Sequence, residues 1–170
     1  MRESTKTPLE DGIERFVGLE HIEPGNLDIQ GWGNVADGTT FTKTFAVGDV
    51  LFGKRRSYLK KAAIADFNGL CSGDILVLRP NAEVILPELF PYLISADAVF
   101  DFAVSNSAGS LSPRTKWRDL SKYELSIPDL KTQKKVLGVF ESLQTNMRNI
   151  NQQHQTLNYL KQKLLDDILN

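Results

Sequence analysis

From Lys131 to Asn170 the chain has no proline, and its only glycine is Gly138. Within that stretch Val136, Phe140, Leu143, Met147, Ile150, Leu157, Leu164 and Ile168 recur at alternating steps of four and three. His154 and Lys161 occupy the two remaining positions of the series. This is a heptad seam rather than the broader stripe of a globular helix. It predicts one continuous helix about 58 Å long at 1.5 Å rise per residue. A small domain cannot cover a seam of that length, so a second helix must bury it. The chain is therefore expected to form a two-fold dimer through these residues, or to pair with an equivalent helix of a partner. A polar residue such as His154 inside a seam sets register more often than it binds metal.

The 170 residues accommodate one domain of about 130 residues plus the helix. The expected division is 1–130 for a globular domain and 131–170 for the dimerisation helix. No apolar run approaches the roughly 20 residues of a membrane span. Met1–Asp11 is polar and mixed in charge, unlike the apolar centre of a signal peptide. The single cysteine, Cys71, excludes an internal disulfide framework and a cysteine-rich metal site. Cytoplasm is the expected compartment.

The formal net charge is −1, but it is unevenly distributed. Lys43–Lys61 carries Lys43, Lys54, Arg55, Arg56, Lys60 and Lys61 against Asp49 alone, a net of +5. Arg114–Lys135 carries a net of +4, and the rest of the chain −10. Two basic segments thus sit in an acidic body. On one face they would form a positive patch able to meet phosphates; otherwise they are two solvated loops. KRRSYLKK and PRTKWR each place an aromatic ring among the cations, a texture suited to nucleic acid.

Local patterns give a coarse map. Gly12–Glu23 reads as a short strand and Asp28–Ala36 as a glycine-broken loop. Phe41–Lys54 alternates apolar and polar residues about a turn at Gly48–Asp49, the pattern of a hairpin. Ala62–Ala65 reads as a strand ended by Asn68–Gly69, and Asp74–Leu78 as a buried strand. Pro87–Phe102 has helical spacing, with Pro87 suited to its first turn. Tyr123–Ile127 reads as a last strand before the long helix.

Catalytic machinery is not evident. Gly31-Trp32-Gly33 lacks the strand, third glycine and helix of a nucleotide fingerprint. His21 reads as a half-buried strand residue, and no metal-ligand partner lies near it or His154. Cys71 reads as a small packing residue rather than a reactive thiol. No cofactor or metal is expected.

Taken in order, FVGLEHIEPG, GDVLFGKRRSYLKKAAIADFNGLCSGDILVLRP, SAGSLSPRTKWRDL and LSIPDLKTQKKV resemble the target recognition domain of type I restriction–modification specificity subunits. The resemblance runs from about Phe16 to the C-terminus. It implies an α+β fold, a mixed β-sheet target recognition domain followed by a long C-terminal coiled-coil helix. It implies a non-catalytic subunit that recognises double-stranded DNA, with adenine methyltransferase (modification) subunits and restriction subunits as partners. Family members usually carry two recognition domains and two helices packed antiparallel as a ruler between the halves of a split site. One block and one helix make a half-subunit that must dimerise the expectation, with a truncated or excised unit as the alternative. Only fifteen residues precede Phe16, where typical members have further strand-forming sequence.

The resemblance also suggests roles. Gly53-Lys54-Arg55 and Tyr58-Leu59-Lys60-Lys61 match a family stretch in which Arg56-Ser57 replaces an Arg-Pro pair. It implies a loop near DNA, with Tyr58 partly packed. Ser107–Ser110 and Pro113–Trp117 match a second block, in which Trp117 is expected in the core and Arg114 and Lys116 at a phosphate or in solvent. The candidate DNA-binding residues are therefore Lys54, Arg55, Arg56, Tyr58, Lys60, Lys61, Arg114 and Lys116. Trp32 and Asn34 fall where family members vary and are placed near bases. The competing functions are a coiled-coil adaptor whose globular domain binds protein, and a small enzyme with an unrecognised site.

Overall fold

The computed structural model describes residues 3–169. It divides into two compact units, Met1–Pro128 and Asp129–Asn170. Met1, Arg2 and Asn170, the ends of the two expected segments, lie outside the described residues.

Among the described residues the first unit has seven short strands: β1 (Arg15–Val17), β2 (Gly33–Asn34), β3 (Lys43–Phe45), β4 (Val50–Gly53), β5 (Ala62–Ile64), β6 (Gly69–Cys71) and β7 (Ile75–Leu78). They form one mixed sheet, in the order β2-β1-β6-β3, and one antiparallel sheet, in the order β5-β4-β7. β1 and β6 are the parallel pair. Side chains alternate across each strand with a period of two, and here both faces are buried. Val50 and Phe52 of β4 enter one cluster, with Leu76 and Leu78 of β7. Leu51 and Ile75 enter another, with Val17, Phe45 and Cys71 of the facing sheet. Leu70 turns the other way, to Ile13 and Val35. The apolar run ILVL is what a strand buried on both faces requires.

Three short helices cover the antiparallel sheet: α1 (Phe90–Ile94), α2 (Asp97–Ser105) and α3 (Trp117–Leu120). Ile94, Val99, Phe100, Ala103 and Leu120 supply their contribution to the core. Phe100 stacks on Phe52 at 4.8 Å between centroids. Each such side chain stabilises the fold by about 1.5–3 kcal/mol when fully buried.

The α+β class, with mixed and antiparallel sheets and a long C-terminal helix, is as the sequence leads one to expect. Several local expectations are corrected. Phe41–Lys54 is not a paired hairpin, because β3 joins β6 and β4 joins β5 and β7. The Asp49 carboxylate accepts the Ala46 N–H and two Arg79 N–H bonds, holding the chain where it crosses between sheets. Gly69 ends no strand; it opens β6, where a Cβ would stand 2.6 Å from Phe45 Cζ. The stretch Pro87–Phe102 is two helices, because Ala96 is extended (φ −63°, ψ 144°). Pro91, not Pro87, occupies the first turn of α1. Tyr123–Ile127 pairs in no ladder; Tyr123 and Leu125 instead pack on the helical core as extended chain. β2 lies within the segment expected to be loop, and His21 lies in a single 3₁₀ turn.

The second unit is one helix, α4 (Leu130–Leu169), of 40 residues. Asp129 begins it, accepting the Thr132 N–H at 2.7 Å. That hydrogen bond is the main reason the Asp129 carboxyl sits below the ordinary carboxylate range. Leu143, Met147, Ile150, Leu157, Leu164 and Ile168 are all exposed, and Val136 and Phe140 are partly so.

Candidate nucleic-acid interface

The two basic segments lie more than forty positions apart in the chain yet form one hydrogen-bonded ribbon. β4 ends at Gly53 and runs directly into Lys54, Arg55 and Arg56. Arg56 donates its N–H to Pro113 O, and Thr115 donates its N–H to Lys54 O. Arg55 and Arg114 stand opposite each other as an antiparallel bridge. Beneath them the buried Ser57 and Thr115 hydroxyls lie 3.1 Å apart. Thr115 donates onward to Ala103 O of α2, and Ser57 reaches Gly53 O and Lys54 O. Every buried hydroxyl in the joint is thus satisfied, which gives it one geometry.

Asp74, just before β7, fastens the ribbon from the third side. One carboxylate oxygen accepts the Arg114 Nε–H at 2.8 Å and the other accepts an Arg55 Nη1–H at 3.2 Å. Ser112 Oγ takes Arg55 Nε at 2.7 Å. Burial opposes ionisation of Asp74, but the Arg114 and Arg55 hydrogen bonds and charges outweigh it and hold the carboxyl below its usual range. The guanidinium groups remain open to solvent, at 39% for Arg55 and 50% for Arg114. Their remaining N–H forks suit a phosphate.

The other candidates are placed less uniformly. Lys60 is half-exposed and paired with Asp97 at 2.7 Å, a hydrogen bond that raises its pKa above the usual lysine value. Lys61 Nζ donates to Leu19 O. Arg56 and Lys116 are exposed and carry no ion pair among the described residues. Arg56 and Lys60 flank the Ser57–Leu59 turn in the left-handed region, at φ 53° and 51°, a conformation that stores strain in non-glycine residues. Tyr58 is half-exposed, with the rest of its surface packed, whereas Trp117 is 58% exposed rather than core. α3 is a single turn in which Leu120 alone is buried, and the larger Trp117, three residues before it, stays mostly in solvent. Trp32 is half-exposed, and Asn34 is exposed and hydrogen-bonded to Asp37.

Asp74, Ser57, Thr115 and Ser112 hold the site together, and sequence reasoning misses all four in that role. Their signal is indirect: short polar residues beside basic ones, with partners distant in the chain.

The groups considered for chemistry are otherwise engaged. His21 Nδ1 accepts the Gly18 N–H, and His154 lies beside Asn158 on α4. Burial pushes the Cys71 thiol up to about 11, so almost none of it is the reactive thiolate at neutral pH. Among the described residues no cluster of three or more His, Cys, Asp or Glu side chains could hold a metal. Among the described residues no helix is long and apolar enough to cross a membrane.

Comparison with known proteins gives a consistent result. Residues 15–159 match the family model described as the type I restriction modification DNA specificity domain. The chain is 27% identical over 166 residues to the specificity subunit of the type I restriction enzyme EcoDI of Escherichia coli, covering 94% of this chain and 37% of that protein. It is 31% identical over 127 residues to the HindI specificity subunit of Haemophilus influenzae, covering 72% and 28%. Among solved structures, the HsdS subunit from Thermoanaerobacter tengcongensis superimposes with a TM-score of 0.72 at 23% identity, covering 88% of this chain and 41% of that one. A chain from a structure of type I R-M system assembly gives 0.73 at 22%, covering 89% and 41%. The structural matches carry the fold. The chain spans about a third of the length of the curated relatives it matches.

Proposed function

Because the chain belongs to the type I restriction modification DNA specificity domain family, we propose that it reads duplex DNA for a type I-like restriction–modification or methyltransferase complex, positioning the catalytic subunits on a bipartite site. It does no chemistry itself. The partners are adenine-methylating modification subunits and a restriction subunit, in the cytoplasm. Residues 1–130 recognise DNA and residues 131–170 dimerise.

The observation that carries this reading is the joining of Lys54–Arg56 to Pro113–Lys116. Concentrating two basic segments in one ribbon supports phosphate contact in a way that two separate solvated loops would not. Lys54, Arg55, Arg56, Tyr58, Lys60, Lys61, Arg114 and Lys116 are the proposed contacts, with Arg56 and Lys116 the cations least engaged within the protein.

The seam supports a second copy as the partner helix, and its chemistry favours antiparallel pairing. Set antiparallel about its centre, it places Val136 against Ile168, Phe140 against Leu164, Leu143 against Lys161, Met147 against Leu157 and Ile150 against His154. A parallel pair would stack Lys161 on Lys161 and His154 on His154, and like charges in a seam are unfavourable.

A salt titration tests the function. Log affinity for duplex DNA should fall linearly with log salt, and a protein-binding adaptor would show no DNA binding to titrate. Arg56→Gln with Lys116→Gln should weaken binding on every sequence and flatten the slope by about one unit per lost phosphate contact. Unchanged affinity and slope would remove these cations from the interface.

A further inference from the structure

Four arginines of the globular unit rest on carboxylates: Arg55 and Arg114 on Asp74, Arg79 on Asp49, and Arg118 on Asp119. Arg15 does not. Its guanidinium carbon lies 4.4 Å from the Trp32 ring centroid and 5.2 Å from that of Phe67. Trp32 meets Phe67 edge-to-face at 5.7 Å, and Phe67 in turn meets the buried Phe45 at 5.6 Å. The rings are therefore anchored to the core, and they brace the guanidinium while taking none of its N–H bonds. Those donors have no hydrogen-bond acceptor among the described residues. Arg15 is also directly opposite Asn34 in the β1–β2 pair, and β2 is the outer strand of its sheet. Trp32, 48% exposed, stands two residues along the same edge, where β-strand alternation puts it on the same face as Asn34.

A planar fork of unused donors, braced by aromatic rings, suits a partner with two adjacent acceptors. In duplex DNA the major-groove edge of guanine offers that pair, O6 and N7. Adenine, thymine and cytosine each present at most one acceptor beside a donor or methyl group there, or a donor alone. We propose that Arg15, braced by Trp32 and Phe67, is a base-reading residue that selects a guanine within the recognised half-site. This rests on the DNA-recognition reading and assigns its specificity to a surface distinct from the basic ribbon. The ribbon meets phosphates, which carry no sequence information directly.

Selection from random duplex DNA by the full-length wild-type chain and by Arg15→Lys and Trp32→Leu tests the proposal. Lysine keeps the charge but loses the planar fork. The expected result is that one G·C position of the wild-type motif relaxes in Arg15→Lys, its preference falling roughly ten- to a hundredfold. Every other position and the salt slope should hold. Trp32→Leu should relax the same position to a smaller degree. If Arg15→Lys selects the wild-type motif at full strength, or weakens all positions equally, the proposal is overturned while DNA recognition stands. If the wild-type chain selects no motif, the recognition reading fails first and this proposal fails with it.

Discussion

Asp74 occupies both of its carboxylate oxygens with arginines from opposite strands of the ribbon. It therefore does two things at once: it joins the strands and neutralises part of the face that should meet DNA. Asp74→Asn separates these effects. Losing hydrogen bonds between charged but half-exposed groups should lower stability by about 1 kcal/mol. It should also tighten non-specific DNA binding and steepen the salt dependence by about one unit, because one negative charge leaves the face. Fluorescence anisotropy across a salt series reads the second effect, and an unchanged slope would place Arg55 and Arg114 away from phosphate. The depressed pKa of Asp74 means that the joint persists above the ordinary carboxylate pKa and is lost only as pH falls through the lower folded value. Residue types in this site are legible in the sequence, because clustered cations with aromatics announce themselves. Their pairing is not, since Arg55 meets Asp74 and Arg114 only after strands from three regions assemble. The exposure of Trp117 is hidden for a related reason: a lone tryptophan in a one-turn helix carries no sign of whether the rest of the fold will cover it.

Secondary-structure elements divide by whether their pattern is local. ILVL of β7 and the seam of α4 can be read directly, because a double-sided strand and a heptad repeat each contain their own evidence. The Phe41–Lys54 pattern misleads, because alternation identifies two strands without saying that they join different sheets. Gly69 decides part of that outcome. Its missing side chain makes room for Phe45 Cζ and for Arg15 O, which a Cβ would meet at 2.6 and 2.9 Å. The backbone carbonyl cannot swing aside as a side chain can. Gly69→Ala should therefore destabilise the mixed sheet by about 1–3 kcal/mol, seen as a lower urea midpoint with the cooperativity retained. For α4 the test is association. Burying the seam against a second copy should give a stable dimer at micromolar concentration. Leu143→Asp with Leu157→Asp should convert it to monomer in sedimentation velocity without unfolding the globular unit. A wild-type chain that stays monomeric at tens of micromolar would instead assign the seam to a different chain.

A two-fold dimer of identical chains imposes its symmetry on whatever it binds. Each copy would read the same short half-site, on opposite strands, so the target should be an inverted repeat with an unread centre. Antiparallel helices attach the two recognition units at opposite ends of the pair, because each unit is continuous with the N-terminal end of its own α4. The 40-residue helix is about 60 Å long, which corresponds to about 16–18 base pairs between half-site centres at 3.4 Å per pair if the whole helix separates them. Removing one heptad from α4 shortens the pair by about 10 Å, or roughly three base pairs, while keeping the seam in phase. The preferred spacer should shorten by that amount, or binding should fail where the altered helical phase of the DNA turns one half-site away. Selection from random DNA with the wild-type and shortened chains measures both spacers directly. Two unlike half-sites in the wild-type target would defeat the homodimer and require a second, different recognition chain. An unchanged spacer after the deletion would show that α4 does not measure the distance.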